Sequence, residues 1–405
     1  MLEGDSLASR IVSALRAARS VELGGAAGAW RELTTRVDLA AATGGRHALR
    51  RVALDMRHAR GERRRQRAAV YDMWSAAAGA VAADVVDLGD GFLEIRKGAV
   101  CTRVHDQTVS LNDEVAVLLA SDKTRLYQML GGSGIAVPEH RLFEADEPSR
   151  AVEFLESHSG PCVLKPARSA HGWGVTTQLR HPKEVRRAAR WAGRFDHLLL
   201  IERQREGAVH RLLVVDGAVV DAVRRRPPRV KGDGRSTIAE LVEAEYEERL
   251  RARDDGGAPS RFDPVTPPFV LDLDCLLTLR AQGLSPHSVP DEGDLVTVKT
   301  VTNQNSPADN ETLETIPEDL ADLAVAAASA AGLSLAGIDL VAPVGGSPTV
   351  IDVNAHPGLW HHYRVADPSR ATDVAAQILR VLLGDAVERA AGQERQRTSS
   401  PQSGG

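Results

Sequence analysis

The sequence predicts an α+β protein, and three observations carry that expectation. Strand-like runs come in pairs around short turn signals: "EIRKGAVCTRV" about Lys97-Gly98, "HRLLVVDGAVVDAV" about Asp216-Gly217, and "GIDLVAPVGGSPTVIDV" about Gly345-Gly346. Amphipathic stretches such as "HPKEVRRAARWAG" and "PEDLADLAVAAASAAG" are helical in pattern and end at glycine. Hairpins mixed with helices argue against a purely parallel sheet. At 405 residues the chain is long enough for two or three domains with sizeable cores.

Taken in order, the first ~65 residues are Ala- and Arg-rich and helical in pattern. A helix then runs into a strand across "AAVYDMWSAAAGAVAADVVDL", and the first hairpin follows. These make a smaller N-terminal α/β domain over 1–120. "NDEVAVLLASDKTRLYQMLGG" is helical, and a short strand follows Pro138. "PCVLKPARS" and "HLLLIERQ" are strands, and "STIAELVEAEYEERLRARD" is an amphipathic helix with Ser236 as its expected N-cap. Residues 254–268 are a Gly/Pro-rich connection, and "GDLVTVKTVTNQNS" is a strand entering a polar loop. The main domain spans 121–390, and the polar tail 391–405 is expected to be disordered.

The net charge of −5 argues against nucleic acid as the main partner, although "RHARGERRRQR" and "RRRPPRVKGDGR" are locally basic. The first reads as a solvated helix face. Cys101, Cys162 and Cys275 lie far apart in no zinc or disulfide spacing, which predicts buried free thiols in a reducing cytoplasm. No run approaches membrane-spanning length and no signal-peptide pattern opens the chain, so the expectation is cytoplasmic, without a membrane partner.

The third hairpin raises a physical problem. With Gly345-Gly346 at the turn, facing residues sum to 691, so Asp339 opposes Asp352, Leu340 opposes Ile351 and Val341 opposes Val350. Pro343 and Pro348 also oppose each other, where a ladder would end. Ile338, Leu340, Ile351 and Val353 then share the core face, and Asp339, Asp352 and Asn354 the other. Two carboxylates about 5 Å apart across a ladder repel. Either one stays protonated or a divalent cation lies between them. Three hard oxygen ligands suit Mg²⁺ or Mn²⁺. Incidental acids on a solvent-facing hairpin are the alternative.

If the hairpin holds a metal, a nucleotide should supply the remaining ligands. Lys165 lies in an apolar strand, where an unpaired ammonium is costly, and Gly172 and Gly174 punctuate the loop after it. No Walker pattern and no G-x-G-x-x-G follows a strand. Lys123 stands at a helix start, and Glu202 ends an apolar strand where it could accept from an adenine amino group or ribose.

In this order, these residues resemble the ATP-grasp carboxylate–amine ligases. The form "R-x-P…V-x-GDG-x-x-T-I" followed by "VNAxPG" is most similar to the ATP-grasp domain of cyanophycin synthetase and related peptide ligases, from about Asp122 to about Leu383. The resemblance implies two α+β subdomains, 121–205 and 206–390, clamping ATP, and an ATP-dependent ligase that releases ADP and phosphate. It places Lys123 and Lys165 on the phosphates, with Gly172–Gly174 as a lid and Glu202 beside adenine. It also puts Arg211 toward the acyl phosphate, Arg225 or Arg226 on the transferring phosphoryl group, and Asp339, Asp352 and Asn354 on magnesium. Val209 replaces an acidic residue of relatives, which shifts the ribose contact to Glu206. The loop "NQNSPADNETL", beginning at Asn303, is atypical and lines the acceptor side, and His362 and Arg364 could bind a substrate carboxylate. No Mur-ligase-like domain follows, which favours a single amide ligation between amino acids or small peptides over a polymer- or glutathione-type ligase. Relatives imply a homo-oligomer. A non-catalytic nucleotide-binding regulator is the rival of another class, disfavoured by the retained Lys165, Asp339, Asp352 and Asn354.

Overall fold

Antiparallel hairpins organise the chain, as the turn signals predict. The structure is a computed structural model that describes residues 67–169, 172–254, 271–302 and 305–384. The chain divides into two compact units, 1–59 and 60–405, and every described residue lies in the second. Most of the basic run at 57–67, the connection expected at 254–268 and the tail from 391 lie outside the described residues.

A helix over residues 67–80 (α1) leads into a meander of β1 (Asp84–Gly89), β2 (Phe92–Lys97), β3 (Val100–His105) and β4 (Thr108–Val109). The helical stretch after it is two helices, α2 (Glu114–Ser121) and α3 (Lys123–Gly132). Asp113 caps the first and Asp122 divides the two, each accepting from two backbone N–H groups as an N-cap. Next come β5 (His140–Glu144), α4 (Pro148–Glu156), β6 (Cys162–Pro166), β7 (Thr176–Leu179), α5 (Pro182–Ala192) and β8 (Leu198–Arg203). Their strands form a small sheet of order β5-β8-β6-β7.

The hairpin of β9 (Ala208–Val215) and β10 (Ala218–Arg225) turns at Asp216 and Gly217, whose φ of 48° and 72° are those of a primed turn. A side layer holds β11 (Arg229–Lys231), α6 (Ile238–Asp254), α7 (Leu273–Ala281) and β12 (Leu295–Thr297). The strand expected through "GDLVTVKTVTNQNS" is therefore only three residues long. The N-cap of α6 is Thr237, not Ser236: Thr237 Oγ1 accepts from the Glu240 N–H, and Glu240 reaches back to the Thr237 N–H. Ser236 instead donates to Asp233. The chain ends its described part with β13 (Asn310–Thr312), α8 (Glu318–Ala330), β14 (Leu335–Ala342), β15 (Thr349–Asn354), α9 (Trp360–Tyr363) and α10 (Val374–Leu382).

The central sheet has the order β13-β10-β9-β14-β15, all antiparallel. One face carries Leu212, Val214, Ala222, Ile338, Leu340 and Val353 against α3 and α8. The opposite face carries Leu213, Val215, Val220 and Leu335 against α1, β2, β3 and α10, with Trp74 buried there and its indole N–H donating to the Asp106 carbonyl. The meander shares this core with the central sheet.

The third hairpin departs from the simple register at one place. Asp339 pairs with Asp352 and Ile338 with Val353, as expected, but Leu340 pairs with Val350 and Val341 with Thr349. A bulge at Ile351 shifts the ladder by one residue, so Val350 rather than Ile351 enters the core. The ladder stops inside Pro343 and Pro348. Of the cysteines, Cys162 and Cys275 are buried and Cys101 is exposed, since Cys101 lies on the outer face of the meander. Burial pushes the Cys162 thiol up to about 11.

Candidate active site

The second face of the central sheet is apolar only in part. Along β9 the period of two carries Val215 and Leu213 on to Arg211, and along β14 Leu335 and Gly337 on to Asp339. Arg211 and Asp339 are register partners, and the guanidinium grips the carboxylate with two bonds, Nε to Oδ1 at 2.6 Å and Nη2 to Oδ2 at 2.7 Å. Arg225, at the end of β10, places Nη1 3.7 Å from the same carboxylate and donates to the Thr302 carbonyl at 3.0 Å. Asn354 Nδ2 points to Asp339 Oδ2 at 3.5 Å.

Lys123 begins α3, and its Nζ lies 3.1 Å from Asp352 Oδ1. Lys165, in β6 of the small sheet, is buried and is 2.9 Å from Glu202 Oε2. It also donates to the Tyr127 hydroxyl at 2.9 Å and to the Ile351 carbonyl at 3.2 Å. The bulge thus exposes a carbonyl that joins the small sheet to the acidic hairpin. Lys123, Lys165, Arg211, Arg225, Glu202, Asp339 and Asp352 form one contiguous cluster of four cations and three carboxylates.

The protonation states follow from this pairing. Burial alone would raise the Asp339 carboxyl, but Arg211, Arg225 and Lys123 outweigh it and hold it below the usual range. Burial opposes the charge on Arg211, yet Asp339 outweighs it and raises the guanidinium. Arg225 has weaker compensation, and burial brings it down to about 10. His361, buried in α9, is pushed well below its ordinary value by burial and by the nearby charges of Arg225 and Arg211, so its imidazole is neutral.

Not every expected residue joins the cluster. Arg226 pairs with Glu311 at 2.8 Å. His362 has no exposed surface, and its Nδ1 lies 2.6 Å from Asp221, which also accepts from Thr372. Arg364 follows α9, where its carbonyl accepts from Asn310. Glu206 is an exposed loop residue. Gly172 and Gly174 both have φ above 70°, and Gly174 packs so tightly on Pro166 and Phe195 that a Cβ would lie 2.7 Å from the proline. Asn303 lies outside the described residues. Tyr127 and His361 were not evident as site residues in the sequence. The signal for Tyr127 was its place four residues after Lys123, on the same helix face.

Gly337 shows how closely the site is fitted. A Cβ there would lie 2.8 Å from Arg211 Nη1 and 2.9 Å from Pro357 Cβ. Gly337→Ala is expected to displace Arg211 from Asp339 and to destabilise the fold by about 1–3 kcal/mol, read by denaturant unfolding.

Residues 297–382 match the RimK-like ATP-grasp domain. A cyanophycin synthetase of Trichormus variabilis is 32% identical over 287 residues, 69% of this chain and 30% of that protein. The glutathione biosynthesis bifunctional protein GshAB of Enterococcus faecalis is 27% identical over 322 residues, 75% of this chain and 41% of its own. A solved bifunctional glutathione synthetase from Pasteurella multocida is similar over 75% of this chain and 41% of its own, at 21% identity and a TM-score of 0.46. The chain spans about a third of the length of the curated relatives it matches. Residues 297–382, which carry Asp339, Asp352 and Asn354 of the charged cluster, are thus similar to a RimK-like ATP-grasp domain, and a longer stretch of the chain is similar to cyanophycin synthetase and to GshAB.

Proposed function

We propose that the chain is an ATP-dependent carboxylate–amine ligase, forming an amide between amino acids or small peptides and releasing ADP and phosphate. The observation that carries the reading is the convergence of Lys123, Lys165, Arg211, Arg225, Asp339 and Asp352 on one end of the central sheet. Four cations in one buried place are matched to a polyphosphate more readily than to any neutral ligand. Relatives named for cyanophycin and for glutathione biosynthesis support an amide product.

Asp339 and Asp352, opposed in register with Asn354 two residues further on, are a donor set of hard oxygens that fits Mg²⁺ or Mn²⁺. When bound, such an ion draws charge from the β- and γ-phosphates. The chain's own part is positioning. Lys123 and Lys165 hold the polyphosphate, and Glu202 keeps Lys165 neutralised until the nucleotide arrives. The substrate carboxylate attacks the γ-phosphorus and ADP departs, while Arg225 and Arg211 stabilise the charge on the transferring group. The amine then attacks the acyl phosphate, and phosphate leaves as the amide forms. The loop at Gly172–Gly174 shields the acyl phosphate from water. Among the described residues no helix is long and apolar enough to cross a membrane, and we place the reaction in the cytoplasm, where ATP is made available.

The test has two arms. Isothermal titration should show ATP binding that requires Mg²⁺. A screen of amino acids and dipeptides for ADP release, with mass spectrometry of products, should reveal one amide product. A ladder of products would favour polymerisation. ATP binding with no ADP formation from any mixture would favour a nucleotide-binding regulator.

A further inference from the structure

The mechanism above leaves unused a buried polar group at the heart of the charged cluster. Tyr127 is 2% exposed, and its hydroxyl lies at the centre of the Lys165 contacts. The oxygen is 3.0 Å from Glu202 Oε2, 3.0 Å from the Ile351 carbonyl and 2.9 Å from Lys165 Nζ. A phenol has one proton to give. It therefore accepts from Lys165 and donates to either the carboxylate or the carbonyl. Lys165 in turn spends its three N–H bonds on Tyr127, Glu202 and the Ile351 carbonyl. Burial first, and then the charges of Glu202 and Asp352, hold the phenol well above its ordinary value, so it remains a neutral donor and acceptor.

The helix gives this arrangement its direction. Lys123 and Tyr127 are i and i+4 on α3, so they share one face. Lys123 reaches Asp352 and Tyr127 reaches the carbonyl of Ile351, two consecutive residues of β15. The Ile351 carbonyl points out of the ladder because the bulge lies there. The His140 ring, edge-on at 4.9 Å, and Lys165, 5.2 Å above the ring, complete the packing of the phenol.

We infer that Tyr127 is a positioning residue for nucleotide phosphate: it holds Lys165 between the small sheet and the bulged hairpin and takes over its released partner when the ammonium turns to a phosphate oxygen. This rests on the ligase reading of the site. Without the hydroxyl, a Lys165 that leaves Glu202 strands a buried carboxylate with no donor. The ammonium then stays on Glu202 and serves phosphate poorly.

The test is Tyr127→Phe, which keeps the ring and removes the oxygen. MgATP and adenosine affinities are measured by isothermal titration for the wild type, Tyr127→Phe, Lys165→Met and the double variant. Tyr127→Phe should weaken MgATP about tenfold. Adenosine affinity should stay within about twofold, and the change should add less than about twofold on top of Lys165→Met. An equal loss for both ligands, no loss for MgATP, or additivity with Lys165→Met would overturn the inference. So would a Tyr127→Phe protein that is unfolded at 25 °C, since the hydroxyl would then serve the fold. If Lys165→Met does not fold, the two ligands in Tyr127→Phe decide. A wild-type protein that does not bind MgATP would sink the ligase reading, and this inference with it.

Discussion

Asp339→Asn is expected to lower the unfolding free energy by about 3–5 kcal/mol, whereas Asp352→Asn should change it by no more than about 1 kcal/mol. The two carboxylates are register partners, so the contrast comes from their surroundings alone. Asp339 is buried and neutralises Arg211 through two short bonds, with Arg225 beside it. Removing its charge leaves two buried guanidinium groups facing each other. The Asp352 side chain is 28% exposed, so water screens its pair with Lys123. Denaturant unfolding measures the difference. The sign of the pH dependence follows: the folded Asp339 carboxyl lies below its unfolded value, so its stabilisation is complete above about pH 4 and is lost as pH falls through the folded value. The wild type should therefore lose more stability than Asp339→Asn between pH 4 and 2. For nucleotide binding the two variants should converge, because both remove a proposed metal ligand. If Asp352→Ala leaves the Mg²⁺ dependence of ATP binding intact, the metal assignment to the hairpin is wrong.

Much of this site was legible from period and turn chemistry. Asp216-Gly217 and Gly345-Gly346 were enough to align two hairpins and put Asp339 across from Asp352. What the period could not supply was the bulge. An extra residue at Ile351 has no composition signal, because Val350, Ile351 and Val353 are interchangeable as strand residues; core fit against α8 selects Val350. Long-range pairing was equally hidden. Arg225 and Arg226 are adjacent and identical in sequence, and only the strand end decides which one is buried beside Asp339 and which pairs with Glu311. His362 looked like a substrate ligand because of its neighbours in sequence, but Asp221 on β10 claims it. Tyr127 was hidden by type: a tyrosine on an apolar helix face is ordinary core until Lys165 and Glu202 arrive from 38 and 75 residues away.

The charges of the cluster are already paired with one another, and this bears on the second large effect. Replacing Arg225 with Met is expected to lower kcat about 10²–10³-fold while leaving the fold as stable as before, or more so. Arg225 is held down to about 10, chiefly by burial and also by Arg211, with Asp339 offsetting only part. A guanidinium lowered by folding is a destabilising charge at every pH below that value. Lowered by folding to about 10, the guanidinium opposes the folded state by roughly 3 kcal/mol at neutral pH. Methionine removes that penalty, fills similar volume, and leaves Asp339 still gripped by Arg211. Its losses include the bond to the Thr302 carbonyl, about 1 kcal/mol, and the 3.7 Å contact with Asp339. A buried charge kept at a net penalty is the pattern of a functional residue, and the proposed triphosphate would supply the compensating negative charge. Thermal unfolding and ADP release on the same variant separate the two effects. A Tm that falls by more than about 5 °C, or turnover within about threefold of the wild type, would show that Arg225 serves the fold and not the phosphoryl group.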